Sequence, residues 1–314
     1  MQLIRGLHNL VQISSASVVT IGAFDGLHLG HQAILNRVKQ LAEAANAVPT
    51  VVLFEPQPSE YFAPDQAPAR LSRFRDKVEL LMSYGIQRIV CLRFNQQIQN
   101  MTPVEFVSRV LVEGLKTQHL IVGDDFRFGA NREGDFALLQ QLAPQSGFIV
   151  EDTPTTEVHG ERVSSTRIRE LLLSGDCAQA KQLLSRDFSI QGHVGKGRQL
   201  GRTIGVPTAN VALRRRRSPL HGVFAVRVLV AGEWHQGVAN IGVKPTVGAE
   251  PIPSLEAHLF NFDQDIYGQA ITVVFLTKLR DEQAFSSFAE LQQQIARDQQ
   301  AARDYFVNEF KVIE

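Results

Sequence analysis

Two cysteines in 314 residues, Cys91 in the apolar run Ile89-Val90-Cys91-Leu92 and Cys177 at the head of a polar segment, are too few for a disulfide framework and lack the spacing of a zinc knuckle. Their scarcity points to a reducing compartment, the cytoplasm. Net charge is missing as well: Lys+Arg and Asp+Glu both number 32, so no global field draws the chain to nucleic acid or to an anionic membrane. Any anion site has to be local. No uncharged apolar run approaches the roughly 20 residues that a membrane span needs. The first residues lack the basic, apolar and small-residue succession of a secretory leader. Internal repeats and low-complexity tracts are absent too, Arg214–Arg217 being the nearest approach to one. What is left is a globular chain, 44% hydrophobic and long enough for two domains with a core each.

The most informative stretch is Val18-Val19-Thr20-Ile21-Gly22-Ala23-Phe24-Asp25-Gly26-Leu27-His28-Leu29-Gly30-His31, followed by a helical pattern from Gln32 to Ala45. A β-branched strand feeds a glycine-rich turn that opens a helix. Free N–H groups and the positive end of the helix dipole suit such a turn to an anion, and glycines let a phosphate approach the backbone. Gly22, Phe24, Asp25, Gly26 and Gly30 are therefore expected around a phosphate, with His28 and His31 beside it. The alternative is a pair of satisfied structural histidines. Zinc is disfavoured, because the metalloprotease pattern needs histidines four apart with a glutamate between them. Imidazole N–H groups placed there could stabilise charge on an α-phosphate while another phosphate displaces pyrophosphate.

From Val18 to about Gly147 strands and helices alternate: strands at 49–54, 88–94, 119–122 and 148–151, and helices from Ser72, from the capping box Thr102-Pro103-Val104-Glu105 and from Asp135. That order implies a doubly wound parallel sheet, whose ligands bind beyond the carboxyl ends of the strands. The rim loops are the histidine turn, Glu55-Pro56-Gln57-Pro58 and Gly123–Gly129, which contains Asp125. Ser164-Ser165-Thr166-Arg167-Ile168-Arg169 opens a further helix. Its hydroxyls and arginines make either a second phosphate clamp, with Arg169 the better ligand, or only a well-capped helix. Two such clamps could hold opposite ends of a polyphosphate.

From Ser189 onward, glycines interrupt short extended segments at 222–230, 233–239, 255–260 and 270–276, the texture of an all-β barrel, and Phe285 to Phe310 closes the chain as one helix with apolar positions Phe288, Leu291, Ile295 and Phe306. The boundary is expected near Arg186, giving domains 1–186 and 187–314. Gly195-Lys196 is followed by Gly197 rather than Ser or Thr, so the loop is not a Walker A motif. Within Gly201-Arg202-Thr203-Ile204-Gly205-Val206-Pro207-Thr208-Ala209-Asn210, Thr208 and Asn210 offer oxygens that suit magnesium shared with nucleotide phosphates, or else are ordinary turn residues. Glu256 shares a strand face with His258, opposite Leu255 and Ala257, and a base role for it needs outside support. The arginines from Arg214 read as a solvated loop.

Taken together these motifs resemble one family, the bacterial bifunctional riboflavin kinase/FMN adenylyltransferases, also called FAD synthetases. Gly22–His31 resembles the family's nucleotidyltransferase signature and Ser164–Arg169 its later phosphate motif. Pro207-Thr208-Ala209-Asn210 resembles its kinase metal motif, and Glu256 falls where its catalytic glutamate lies. The resemblance implies a kinase half that phosphorylates riboflavin with ATP and an N-terminal half that transfers AMP from a second ATP to FMN, giving FAD and pyrophosphate. It implies Mg2+ at Thr208 and Asn210, a nucleotide contact from Asp125, and substrate or cofactor contacts from Pro56, Pro58, Lys196, Gly201, Gly205 and Pro207. It further implies a flavin pocket at Phe62, Phe106 and Phe128, which could equally be core aromatics, and a kinase flavin site bordered by Asp298 and Arg303. The family often has tyrosine where Phe224 stands and an aromatic where Val247 stands. Expected partners are small molecules, with a homo-oligomer admitted and neither nucleic acid nor membrane. The competing expectations are a nucleotidyltransferase for another phosphorylated acceptor and a non-catalytic flavin carrier.

Overall fold

The computed structural model describes residues 1–123, 125–196, 206–213, 216–246 and 249–311. They form two compact units, Met1–Pro68 with Ser72–Ser164, and Ala69–Leu71 with Ser165–Glu314.

The first unit runs β1 (Gln2–Arg5), β2 (Ser17–Ile21), α1 (Leu29–Ala44), β3 (Val48–Glu55), α2 (Pro58–Phe62), α3 (Phe74–Ser83), β4 (Arg88–Arg93), α4 (Gln96–Gln99), α5 (Pro103–Glu105) continuing as a π-helix over Phe106–Gly114, β5 (Thr117–Gly123), α6 (Phe136–Ser146) and β6 (Ile149–Thr153). All six strands pair in parallel, in the order β1-β4-β3-β2-β5-β6. Successive strand residues face opposite sides, which is why Val18, Val51, Ile89 and Ile121 pack under α1 and α3, while Val19, Val52, Val90 and Leu120 pack under the π-helix and α6. From β2 the chain winds through β3 and β4 to one side and through β5 and β6 to the other. The crevice between β2 and β5 is therefore the switch point where such sheets bind ligands.

The sequence pattern placed the interior strands and missed β1, an edge strand of four residues with no buried side chain. Edge exposure removes the hydrophobic signature that marks the interior strands β2 to β5. β1 is tied in by Arg88, a buried arginine whose guanidinium donates to Gln2 Oε1 (3.1 Å), Ser17 Oγ (2.8 Å) and Ser15 Oγ (2.6 Å). Replacing it with alanine abandons three charge-assisted bonds. Arg88→Ala is expected to cost about 2–3 kcal/mol, read as a lower urea midpoint for the first unit's transition.

The second unit carries α7 (Ser165–Ser174), α8 (Cys177–Leu184) and a closed six-stranded barrel, β10-β13-β12-β11-β14-β9, with α9 (Phe288–Lys311) across its outer wall. Its strands are β9 (Ser189–Gly195), β10 (Ala209–Ala212), β11 (Gly222–Val230), β12 (Glu233–Thr246), β13 (Ala249–Leu259) and β14 (Ala270–Arg280). A two-stranded ribbon, β7 (Glu157–Val158) with β8 (Glu161–Arg162), precedes α7 in the first unit. Phe224 fills the barrel interior edge-on to Phe275 (5.5 Å), opposite Ala239, which is itself paired to Ala257 and through it to Ala209. The three small residues leave room for the ring.

The terminal helix corrects one expectation. Phe288 is 55% exposed, and the buried stripe contains Asp298, Ala302 and Phe306. A carboxylate can occupy a core position there because Arg280 grips it with two bonds of 2.8 Å and Gln294 donates a third at 2.9 Å. Hydrophobicity alone hides such a position.

Candidate active sites

The turn after β2 is built by residues whose backbone departs from ordinary strand and helix geometry. Phe24 (φ 46°), Gly26 (φ 83°) and Leu27 (φ 48°) all occupy the left-handed region. For the two non-glycine residues this costs roughly 1–2 kcal/mol each, offset by complete burial of both side chains in the α1/α3 core. Asp25 is buried as well. Its Oδ1 accepts from Ser72 N (2.9 Å) and Ser72 Oγ (3.1 Å), and Ser72 Oγ accepts from Gly26 N (3.2 Å). The ammonium of Lys77, also buried, donates to Ala23 O at 2.6 Å. Phe24 and Asp25, expected around a phosphate, thus serve in this structure as the turn's own framework. Ser72 and Lys77 were not legible as site residues, since each reads as an ordinary position in a helix start.

His28 caps α1: its Nδ1 accepts from the backbone N–H of His31 (3.4 Å). That bond leaves Nε2 as the protonated nitrogen of the neutral ring. The His28 and His31 rings stack with centroids 3.7 Å apart, and Phe24 leans on His31 at 4.9 Å. Gly30 lies close beside them, and a Cβ there would meet the His28 ring at 3.3 Å, so the ring would have to shift slightly. Burial, then the neighbouring His28 and Lys77, hold His31 well below its ordinary value of 6.5, so its ring is neutral at pH 7. His31 Nδ1 is buried without a hydrogen-bond partner among the described residues.

Below pH 6.5 the unfolded chain protonates His31 while the folded chain resists. Stability of the first unit is therefore expected to fall as pH drops from 6.5 toward the lower folded value. Urea midpoints at several pH values check this, and His31→Phe should flatten the dependence.

Along the rim, Pro56 and Pro58 lie in the turn from β3 into α2, with Pro58 the first residue of that helix. Phe62, 60% exposed, meets Phe94 edge-on at 5.6 Å. Phe106 and Phe128 are buried against each other at 5.7 Å, with Phe126 stacked on Phe128. The three expected flavin-pocket aromatics therefore divide into one exposed ring and a buried pair. Asp125, in the loop after β5, pairs with Arg162 at 2.9 Å and is exposed. Ser164 ends the first unit. Ser165, Thr166 and Arg169 open α7 in the second, where Arg169 Nε donates to Ala69 O at 2.6 Å.

In the barrel, ladder register brings the kinase candidates into one row. Asn210 on β10 is directly opposite Glu256 on β13, and Glu256 is directly opposite Asn240 on β12. Opposed residues of an antiparallel pair share a face. Since Ala209, Val211, Leu255, Ala257, Ala239 and Ile241 are buried inside the barrel, the polar row is on its outer wall. His258, two residues from Glu256, holds Pro207 O at 2.8 Å through Nδ1 and so ties the segment before β10 to β13. Burial holds its pKa below the ordinary value against the opposing pull of that bond.

Beside β10 a cavity of about 470 Å³ is lined by Pro207, Thr208, Asn210 and the loop Phe262–Tyr267. In the sequence this loop is hidden, because Asp263-Gln264-Asp265 after a strand reads only as a turn. Asp298 is engaged with Arg280 as described, and the Arg303 guanidinium lies over the Phe260 ring at 4.1 Å. Lys196 follows β9 and is exposed. Gly201 and Gly205, like Gly197, Arg214 and Val247, fall outside the described residues.

A doubly wound sheet with histidines at a helix start over its switch point, joined in one chain to a closed barrel with an Asn–Glu–Asn row beside a nucleotide-sized cavity, defines an enzyme of phosphoryl and nucleotidyl transfer. Two family models match in tandem, FAD synthetase over residues 10–167 and riboflavin kinase over residues 184–306. The bifunctional riboflavin kinase/FMN adenylyltransferase of Pseudomonas fluorescens is 49% identical, covering 96% of this chain and 97% of its own length. Those of Escherichia coli K12 (49%, 98% of both chains) and Haemophilus influenzae (44%, 98% and 99%) are comparably similar. A solved structure titled as a macrolide-efflux protein from Streptococcus pneumoniae superposes with a TM-score of 0.83 at 27% identity, covering 96% of this chain and 99% of that one. The chain belongs to the bifunctional riboflavin kinase/FMN adenylyltransferase family. It phosphorylates riboflavin to FMN and adenylylates FMN to FAD. Among the described residues no helix is long and apolar enough to cross a membrane.

Proposed function

We propose that the two activities are served by separate sites, adenylyl transfer at the His28–His31 turn and riboflavin phosphorylation at the Asn210–Glu256 row. The observation that carries this reading is the placement of the two clusters in different compact units, each with its own fold.

At the first site, His28 Nε2–H and the N–H groups at the start of α1 donate to the α-phosphate of ATP as negative charge builds on it. The phosphate of FMN attacks phosphorus, the bond to the β-phosphate oxygen breaks, and pyrophosphate leaves with that electron pair. No side-chain nucleophile is needed. His31, neutral and stacked under His28, keeps the first ring in register and supplies a donor without adding charge to the free enzyme. Asp25, Ser72 and Lys77 hold the turn rigid, so the donors are positioned before substrate arrives. Ser165, Thr166 and Arg169, at the start of α7 in the second unit, form a separate phosphate-binding helix start within that unit.

At the second site, ATP occupies the cavity beside β10. Among the described residues there is no cluster of three or more His, Cys, Asp or Glu suited to a metal. A divalent ion here would take neutral oxygens and phosphate oxygens, the habit of Mg2+. Thr208 and Asn210 fit that donor set, and the ion, when bound, supplies charge neutralisation at the transferred phosphate. Glu256 takes the proton of the terminal ribityl hydroxyl as its oxygen bonds to the γ-phosphorus and ADP leaves. Arg303 and Asp298, on the helix covering the outer wall, border the flavin ring.

The free, buried thiols Cys91 and Cys177, the latter pushed up to about 12 by burial, fit a reducing cytoplasm. The deciding test is incubation with riboflavin, ATP and Mg2+, followed by chromatography over time. FMN should appear first and FAD after it. FAD formed from added FMN with no FMN formed from riboflavin would leave the barrel as a recognition module only.

A further inference from the structure

The polar row on the barrel wall extends one residue beyond the groups used above. Asn240 stands on the far side of Glu256 from Asn210, with the base between two amides. Its amide orientation is set, because Nδ2 donates to Glu282 Oε1 at 3.1 Å and a carboxylate can only accept. Glu282 is held in turn: its other oxygen is 3.7 Å from His221 Nε2, and its carboxylate lies against Gly242, where any Cβ would collide with it. With the nitrogen committed, Asn240 Oδ1 is left as an acceptor, shut off from solvent and without a hydrogen-bond partner among the described residues. Native proteins rarely leave such an atom unsatisfied, and where they do a ligand donor is a sufficient explanation.

The order along the row says which donor. The phosphate donor belongs on the Asn210 side, next to the cavity at Pro207 and Thr208. The attacked phosphorus, the reacting hydroxyl and the base must meet near Glu256. The remainder of the polyol then extends toward β12. A ribityl chain carries several hydroxyls of similar chemistry, and only the terminal one is to be phosphorylated. An acceptor fixed one strand beyond the base can take the hydroxyl next to the reacting one and hold the chain in register.

We propose that Asn240 is a specificity-determining residue of the kinase reaction, its Oδ1 accepting a hydrogen bond from the 4′-hydroxyl of riboflavin while Glu282 prevents the amide from turning. This rests on the assignment of Glu256 as base. Glu282 and His221 act through Asn240 and are positioning residues.

The test compares riboflavin with 4′-deoxyriboflavin as substrates for the full-length protein, using the ratio of their kcat/KM values. That ratio is independent of how much of a variant is correctly folded. The wild type should prefer riboflavin by about tenfold, the discrimination one neutral hydrogen bond confers. Asn240→Leu should bring the ratio close to one by losing activity on riboflavin alone, and Glu282→Ala should give an intermediate ratio. An unchanged tenfold preference in Asn240→Leu, or no preference in the wild type, overturns the proposal. Near wild-type turnover of riboflavin by Glu256→Gln would instead remove the base assignment on which it rests.

Discussion

His28→Ala is expected to lower FMN adenylylation by about 10²- to 10³-fold while riboflavin phosphorylation stays within twofold of wild type. The magnitude is that of one preorganised donor removed from a site where charge develops in the transition state. His28 also accepts from the His31 N–H at the head of α1. Alanine therefore removes a cap worth about 1 kcal/mol as well as a donor. His28→Asn separates the contributions, since asparagine caps well and carries an N–H in a different place. It should restore stability and leave most of the catalytic loss. Assays of FAD from FMN and of FMN from riboflavin on the same preparations decide the matter. Equal loss of both activities in a folded protein would refute the two-site assignment.

Glu256→Ala should do the reverse, reducing FMN formation by about 10²- to 10⁴-fold, the range for a positioned general base, with FAD synthesis from supplied FMN unaffected. Glu256→Gln keeps the shape and hydrogen-bonding capacity of the side chain but cannot take a proton, and it should be nearly as inactive. The KM for riboflavin should move little in Glu256→Gln, because the step lost is proton removal in the transition state. A glutamine variant with near wild-type kcat would make Glu256 a structural residue.

How much of this was visible in the chain differs between the units. The interior strands β2 to β5 and the helices between them carry short apolar runs, capping boxes and 3.6-residue periodicity, because burial on both faces of a parallel sheet demands them, and the edge strand β6 is announced by the buried Phe148 just before it. The edge strand β1 lacks burial and therefore lacks the pattern. In the barrel, β9 and β10 escaped notice for a related reason. They are short, and β9 carries two glycines, Gly192 and Gly195, the first of them where the Val211 side chain leaves no room for a Cβ. The long helix α9 misled because its buried face is anchored by an ion pair between Asp298 and Arg280 rather than by Phe288.

By itself the sequence determined the order of the elements, the placement of a glycine-histidine turn at a helix start, and the motifs that name the chemistry. These are local properties, written in residues next to one another. Only the tertiary structure decided that Asp25 and Lys77 serve the turn, that His31 is a neutral ring stacked under His28, and that Asn210, Glu256 and Asn240 form one row. Each of these depends on strand register or on helix packing across the unit, and neither is encoded in the spacing of the residues along the chain. Register is set by the whole ladder and desolvation by the whole core, so the stacking of the two histidines and the alignment of Asn240 with Glu256 exist only in the folded chain.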